Sequence, residues 1–166
     1  MDGMMPPEHE MRRKRQQLSA EECKRILDAA SSGVLALLDS DGFPYAVPMS
    51  FAREGDSLWF HSAKRGHKVS AIASCDQASL CVIEQDEVVP EQFTTYFRSV
   101  IAFGHVRIVE DEGARRHALE LLADKYSPGL MAERDEEIAR FGSQAAIVEL
   151  SIERLTGKQA KELVGA

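Results

Sequence analysis

Residues 93–109 form one β-type run of seventeen residues, rich in aromatic and β-branched side chains and broken only by Gly104. A strand in a globular protein is usually about 5–6 residues long, so a run of this length cannot lie flat in a small domain. Gly104, flanked by Phe103 and His105, supplies the bulge or bend that lets such a strand curl round a barrel. Shorter strand-like runs occur at 34–38, 43–51, 57–62, 78–83 and 145–152, for six strands in all. Strands and helices do not alternate regularly, which disfavours a doubly wound parallel sheet. The expected class is α+β, mainly β: an antiparallel barrel with peripheral helices.

Helical signals flank the strands. Ser19 and Glu22 make a capping box, followed by Cys23, Ile26, Leu27 and Ala30 at the spacing of one helix face. A second helix is expected from His67, with Val69, Ile72 and Ala73 as its apolar stripe, a third over Glu112–Tyr126, and a charged one near 132–140. Residues 84–92 read as an acidic connection, and the chain beyond Ile152 as a polar tail. Asp39-Ser40-Asp41-Gly42 suits a tight turn before the run Phe43–Phe51, in which Pro44 and Pro48 cannot donate to a ladder. That strand is therefore expected at an edge, with backbone free for a ligand.

Composition narrows the function classes. The 166 residues carry 20 Lys and Arg against 27 Asp and Glu, a net charge of −7, which argues against broad binding to nucleic acid. No apolar run approaches the ~20 residues of a membrane span, and the acidic N-terminus lacks the order of a secretory signal, so a cytoplasmic protein is expected. Cys23, Cys75 and Cys81 fit neither a disulfide framework nor a zinc spacing, and no metal site is expected. Residues 1–17, with the cluster Arg12-Arg13-Lys14-Arg15, read as a flexible, solvated N-terminal arm; residues 18–166 make one domain.

The stretch most suggestive of chemistry is WFHSAKRGHK, Trp59 to Lys68. A strand ends at His61-Ser62-Ala63, a loop carries Lys64 and Arg65, Gly66 permits a turn, and a helix opens with His67-Lys68. Unpaired N–H groups, the positive end of the helix dipole and several cations together make a phosphate site. A solvated basic turn is the alternative reading. Neither a P-loop nor a dinucleotide-binding glycine fingerprint occurs, and no GxSxG elbow supports a serine triad.

The order GFPYAVPMSF, WFHSAKRGHK and TYFRSVIAFGHVRIVED, spread over residues 18–158, resembles the pyridoxamine 5′-phosphate oxidase-like FMN-binding split-barrel superfamily, and within it the nitroimidazole-resistance (Nim-type) flavoproteins. The resemblance implies a six-stranded antiparallel split β-barrel, a homodimer, and FMN in a cleft between two barrels. It places the FMN phosphate at His61, Ser62, Ala63, Lys64, Arg65, His67 and Lys68, and the ring edge at Val47, Pro48, Met49 and Ser50. Arg98 and Ser99 are expected from the facing subunit, and Lys158 at the flavin edge. Pyridoxamine phosphate oxidases end in Arg-x-His, whereas this chain has Arg154-Leu155-Thr156-Gly157-Lys158, so oxidation of pyridoxamine phosphate is not expected.

The implied activity is an FMN-dependent oxidoreductase that takes electrons from NAD(P)H and reduces a small organic acceptor, such as a nitroaromatic. The cofactor carries the redox chemistry, so catalytic side chains are not required; His61 and His67 are the candidates for a proton-donating role. FAD is expected to gain nothing over FMN, because no dinucleotide turn is present. Two rivals stay open: use of the deazaflavin F420, which a larger positive groove would favour, and a flavin- or haem-binding protein without turnover, with His105 as axial ligand.

Overall fold

A computed structural model of the chain describes residues 9–165. Seven antiparallel strands form one sheet: β1 (Gly33–Leu38), β2 (Pro44–Met49), β3 (Ala52–Glu54), β4 (Ser57–Ala63), β5 (Gln77–Val89), β6 (Thr94–Ile108) and β7 (Ala145–Gln159). Their order is β2-β1-β5-β6-β7-β4-β3, so β2 and β3 occupy opposite edges. Yet only Ser50 and Phe51 separate them in sequence. Three Cα–Cα steps span at most about 11 Å, which forces the two edges together and curls the sheet into a barrel split along the β2–β3 seam.

Tyr126 holds that seam. It ends helix α3 (Glu112–Tyr126), and its hydroxyl accepts the Phe51 N–H at 2.9 Å. Its single proton faces two carbonyls, Ser31 at 2.7 Å and Phe51 at 2.9 Å. The neighbouring Lys125 lays its ammonium 4.3 Å from the Phe51 ring centroid, and burial lowers its pKa. Phe51 itself is fully buried against Phe60, in a core that also takes Leu35, Leu80, Val82 and Val100.

The expected bulge at Gly104 is present. The β6–β7 register shifts between Phe103 and Gly104, leaving Glu153 as the extra residue on β7. A Cβ on Gly104 would lie 1.8 Å from the Ser151 carbonyl oxygen, so no other residue fits. The capping box also forms, with Glu22 N–H donating to Ser19 Oγ at 3.2 Å and Ser19 N–H to Glu22 Oε2 at 2.8 Å. Helix α1 (Ala20–Ala29) buries Cys23, Ile26 and Leu27, and burial pushes the Cys23 thiol up to about 11, which makes it a packing residue. Helix α4 (Met131–Phe141) packs against α3, and the two helices make up the β6–β7 connection. Among the described residues no helix is long and apolar enough to cross a membrane.

Five expectations need correction. The strand count is seven, because the chain past Phe51, where the second strand is expected to end, forms a further short strand, β3 over Ala52–Glu54. The acidic connection is the outer arm of β5: Gln85 to Val89 pair with Arg98 to Thr94, beyond a bulge at Glu84. The polar tail is strand as far as Gln159, paired with β6. In helix α2 (His67–Ser74) the buried residues are Ala71 and Ile72, while Ala73 is exposed. The end of the expected arm is docked as well: Lys14–Gln16 form a 3-10 turn, Gln17 bridges to Lys158, and Leu18 N–H donates to the Gly157 carbonyl at 3.0 Å. Residues 1–8 of that arm lie outside the described residues.

Tyr126→Phe removes one hydroxyl and leaves the Phe51 N–H without its acceptor. A loss of about 1–2 kcal/mol is expected for a partly exposed site, or a fall in Tm of roughly 2–8 °C in calorimetry. An unchanged Tm would show that the seam does not depend on this residue.

Candidate functional site

Strand β4 is pinned on both faces, and this sets the site. Leu58 and Phe60 enter the barrel core, while Trp59 packs beneath α3 with Ala118 and Ile147. Because side chains alternate, His61 continues on the side of α3 and Ser62 on the side of the core. Gly66, at φ 131°, breaks the chain direction in a conformation that favours glycine, and α2 begins at His67. Gly66 has no side chain to cap the helix, so the first-turn N–H groups point out of it uncapped.

The result is an open cleft of about 380 Å³ lined by Tyr45, His61, Ser62, Ala63, Arg65, Gly66, His67 and Lys68. Lys68 Nζ donates to Ser62 Oγ at 3.2 Å, and burial lowers its pKa from the ordinary 10.5. A half-buried ammonium whose bonded partner is a neutral hydroxyl is short of negative charge, and an anion in the cleft would supply it. Of the strand–loop–helix residues named from sequence, Lys64 alone does not line this cleft.

His67 lines the cleft, and its ring is held there by two neighbours. Its Nε2 is bonded to Asp39 Oδ2, and its ring stacks on Tyr45 with centroids 4.1 Å apart. The His67 bond, and then the Ser40 N–H, hold the Asp39 carboxyl below its usual range. His67 is thus a wall of the cleft, oriented by Asp39 and Tyr45. Neither residue was selected from sequence, because Asp39 reads as turn chemistry and Tyr45 as one member of an alternating strand. Their meeting with α2 depends on the β1–β2 hairpin folding over it.

His61 also lines a second, more apolar cleft of about 570 Å³ between α3, α4 and the barrel, whose walls include Leu122, Ile138 and Phe141. Ser50, in the two-residue seam, opens into the same cleft. The β2 residues Val47, Pro48 and Met49 lie on the sheet's free edge as expected, with Pro48 exposed and Met49 buried.

The remaining candidates are elsewhere. Lys158 lies near the far end of β7 from Ala145, the residue opposite Ala63, so within one chain it does not return to the cleft. Ser99 pairs with Lys158 and with Ile83, all on the outer face of the barrel. Arg98 must face the other way: it donates to Glu84 at 3.2 Å and to Gln159 at 3.2 Å, and Glu84 in turn binds Arg25 at 2.8 Å. It braces the β5 bulge against α1 rather than facing outward with Ser99. His105 bonds Glu153 through Nδ1 at 2.7 Å, while its Nε2 is buried without a partner among the described residues. With that nitrogen covered, the ring is not open to an axial metal bond.

The sequence matches the family model described as pyridoxamine 5′-phosphate oxidase over residues 19–159. No curated protein matches it significantly. Among solved structures it is similar to a candidate 5-nitroimidazole antibiotic resistance protein from Bacteroides thetaiotaomicron, at 23% identity and TM-score 0.73 over 86% of each chain. A conserved hypothetical protein from Mycobacterium tuberculosis shares 18% identity at TM-score 0.80, over 93% of this chain and 92% of that one. The FAD- and haem-binding protein of Mycobacterium smegmatis shares 27% identity at TM-score 0.73, over 89% of this chain and 74% of that one. These likenesses agree with the split barrel built above, and the match across 19–159 makes the chain a member of the pyridoxamine 5′-phosphate oxidase family.

Proposed function

We propose that the protein is an FMN-dependent oxidoreductase that reduces a small organic acceptor, of the nitroaromatic class, with electrons from NAD(P)H. The observation that carries this reading is the β4–α2 cleft. There an ammonium held by a neutral hydroxyl, the Arg65 side chain and an uncapped helix N-terminus converge on open space beside Gly66. Apart from Gly66's two chain neighbours, no atom of the described residues lies within 4 Å of where a Gly66 Cβ would stand, so a phosphate has room to approach the backbone. The donor set fits the phosphate of FMN, and several solved structures of this fold belong to proteins described as FAD-binding.

FMN bound here would supply the two-electron chemistry between donor and acceptor. The chain's own residues bind and orient. Lys68, Arg65 and the α2 amides hold the phosphate; the β2 edge from Val47 to Ser50 offers backbone to the ring. His61 touches both the phosphate cleft and the apolar cleft, and Ser50 opens into the latter from the end of the ring edge. A small apolar acceptor in that cleft would therefore lie beside the flavin, with the His61 imidazole placed to hand it a proton.

A homodimer completes the site in this reading. The outer face that carries Ser99 and Lys158 also exposes Val34 at 39% and Ile83 at 63%, apolar residues on the outside of a barrel. Two such faces meeting would bury them and bring one copy's Ser99 and Lys158 over the ring held by the other. Deazaflavin F420 is the second reading: a positive groove does exist, on the docked end of the arm, and the absorbance spectrum of the purified protein separates the two cofactors.

Lys68→Ala tests the cleft. Loss of a charge-assisted hydrogen bond should weaken FMN about 10- to 150-fold in a fluorescence titration, while riboflavin, which lacks the phosphate, is unaffected. The sign of the pH effect follows from Lys68's lowered pKa. The charged form is present below that value, so FMN affinity in the wild type falls as pH rises through it, before the ordinary 10.5 is reached. Equal losses for both ligands would assign Lys68 to the ring or to the fold.

Ile83→Asp tests the assembly. Light scattering should show a dimer for the wild type and a monomer for the variant, with weakened FMN binding and an unchanged far-ultraviolet spectrum. A wild-type monomer that binds FMN at full affinity would remove Ser99 and Lys158 from the site.

A further inference from the structure

A further groove, of about 710 Å³, shares no lining residue with the β4–α2 cleft and lies between the docked arm and the outer end of β6. Arg12, Arg13, Arg15 and Gln16 line one side, Phe97 and Lys161 the other. In a chain of net charge −7 this is a local reversal of sign. Lys14 pairs with Glu10 at 3.3 Å and Lys161 with Glu162 at 3.6 Å, but among the described residues the three guanidinium groups make no ion pair. They stand on a fixed base, since Gln16 N–H donates to the Arg13 carbonyl at 3.0 Å and Gln17 bridges to Lys158.

Gln16 adds an independent sign of a ligand. It is only 6% exposed, lines the groove, and its Oε1 is buried with no hydrogen-bond partner among the described residues. A buried amide oxygen left unbonded is unfavourable, and a rotation of the Gln16 carboxamide into the groove would bring it to a donor there. A glutamine carboxamide matches the N6 and N7 edge of adenine. A half-exposed phenylalanine offers a face for a planar base, and planar guanidinium forks match phosphate oxygens. Three free guanidinium groups exceed what one diphosphate needs and suit a second phosphate.

We propose that this groove binds the 2′-phosphorylated adenosine half of the electron donor, which makes that donor NADPH rather than NADH. The inference rests on the flavoenzyme reading above. Phe97 connects the two regions, because it lines the groove while the Lys158 ammonium stands 5.7 Å from its ring centroid, on the face assigned to the partner's flavin.

The test is calorimetry on the full chain with adenosine 2′,5′-bisphosphate, 5′-AMP and a triglutamate of similar charge, which needs no flavin. The bisphosphate should bind at least about tenfold tighter than either control, and Arg12→Ala/Arg13→Ala/Arg15→Ala should remove that advantage. Gln16→Leu should weaken the bisphosphate without changing the small response to triglutamate. Equal binding of bisphosphate and AMP, or of bisphosphate and triglutamate, overturns the proposal, as does a triple variant that binds like the wild type. With FMN loaded, the triple variant should lose its preference for NADPH over NADH in kcat/KM while its FMN affinity is unchanged. If it weakens FAD instead and leaves NADPH alone, the groove holds the adenylate of a flavin and the proposal fails. Arginine-dependent binding of the bisphosphate in a protein that neither nucleotide reduces would keep the groove and sink the redox reading.

Discussion

Two residues, Ser50 and Phe51, join strands that stand at opposite edges of a seven-stranded sheet. This short link is the constraint from which the rest of the architecture follows. An open sheet would hold β2 and β3 several strand spacings apart, so the chain closes only if the sheet rolls up. Rolling requires the bulge at Gly104, and it leaves the seam itself unpaired. The split is where backbone stays available, and it lies beside the mouth into which β4 delivers His61 and Ser62. Burial of Phe51 and the Tyr126 hydroxyl pay for the missing ladder bonds at that point.

The same geometry explains how an acidic protein can build a site for an anion. Lys68 is placed by α2, whose Ala71 and Ile72 anchor it in the core, so its ammonium loses water without gaining a carboxylate. The nearby carboxylate, Asp39, is occupied by His67, and Tyr45 holds that ring against the cleft wall. Charge is therefore sorted locally: the acid is paired at the rim and the cation is left facing the opening. Net charge says little about such a site, because its field is set over a few ångströms.

Much of this was legible in the sequence where the signal is local. The capping box at Ser19 and Glu22, the bend at Gly104, the edge position of the proline-bearing β2 and the strand–loop–helix junction from His61 to Lys68 all depend on neighbouring residues. Long-range pairing was not legible. Residues 85–89 carry acids and lie on an arm projecting beyond the core, so only the β6 partner makes them strand; residues 153–159 show no regular alternation for the same reason. Arg98 and Ser99 illustrate a different limit. They are adjacent, and a strand sends adjacent side chains to opposite faces, so one ligand on one face cannot meet both. The docked basic turn at Lys14–Gln16 carries no periodicity, and its place against β7 emerges only from the tertiary structure.

The central claim is that the first turn of α2 holds the phosphate of a flavin. Amide resonances report this directly, because an N–H that donates to a phosphate moves strongly downfield. In proton–nitrogen correlation spectra, FMN should shift the amides of His67, Lys68 and Val69 well beyond any others, and riboflavin should leave those three nearly unmoved while still perturbing Val47, Met49 and Ser50. Equal shifts from FMN and riboflavin at the start of α2, or phosphate-dependent shifts confined to another part of the barrel, would contradict it.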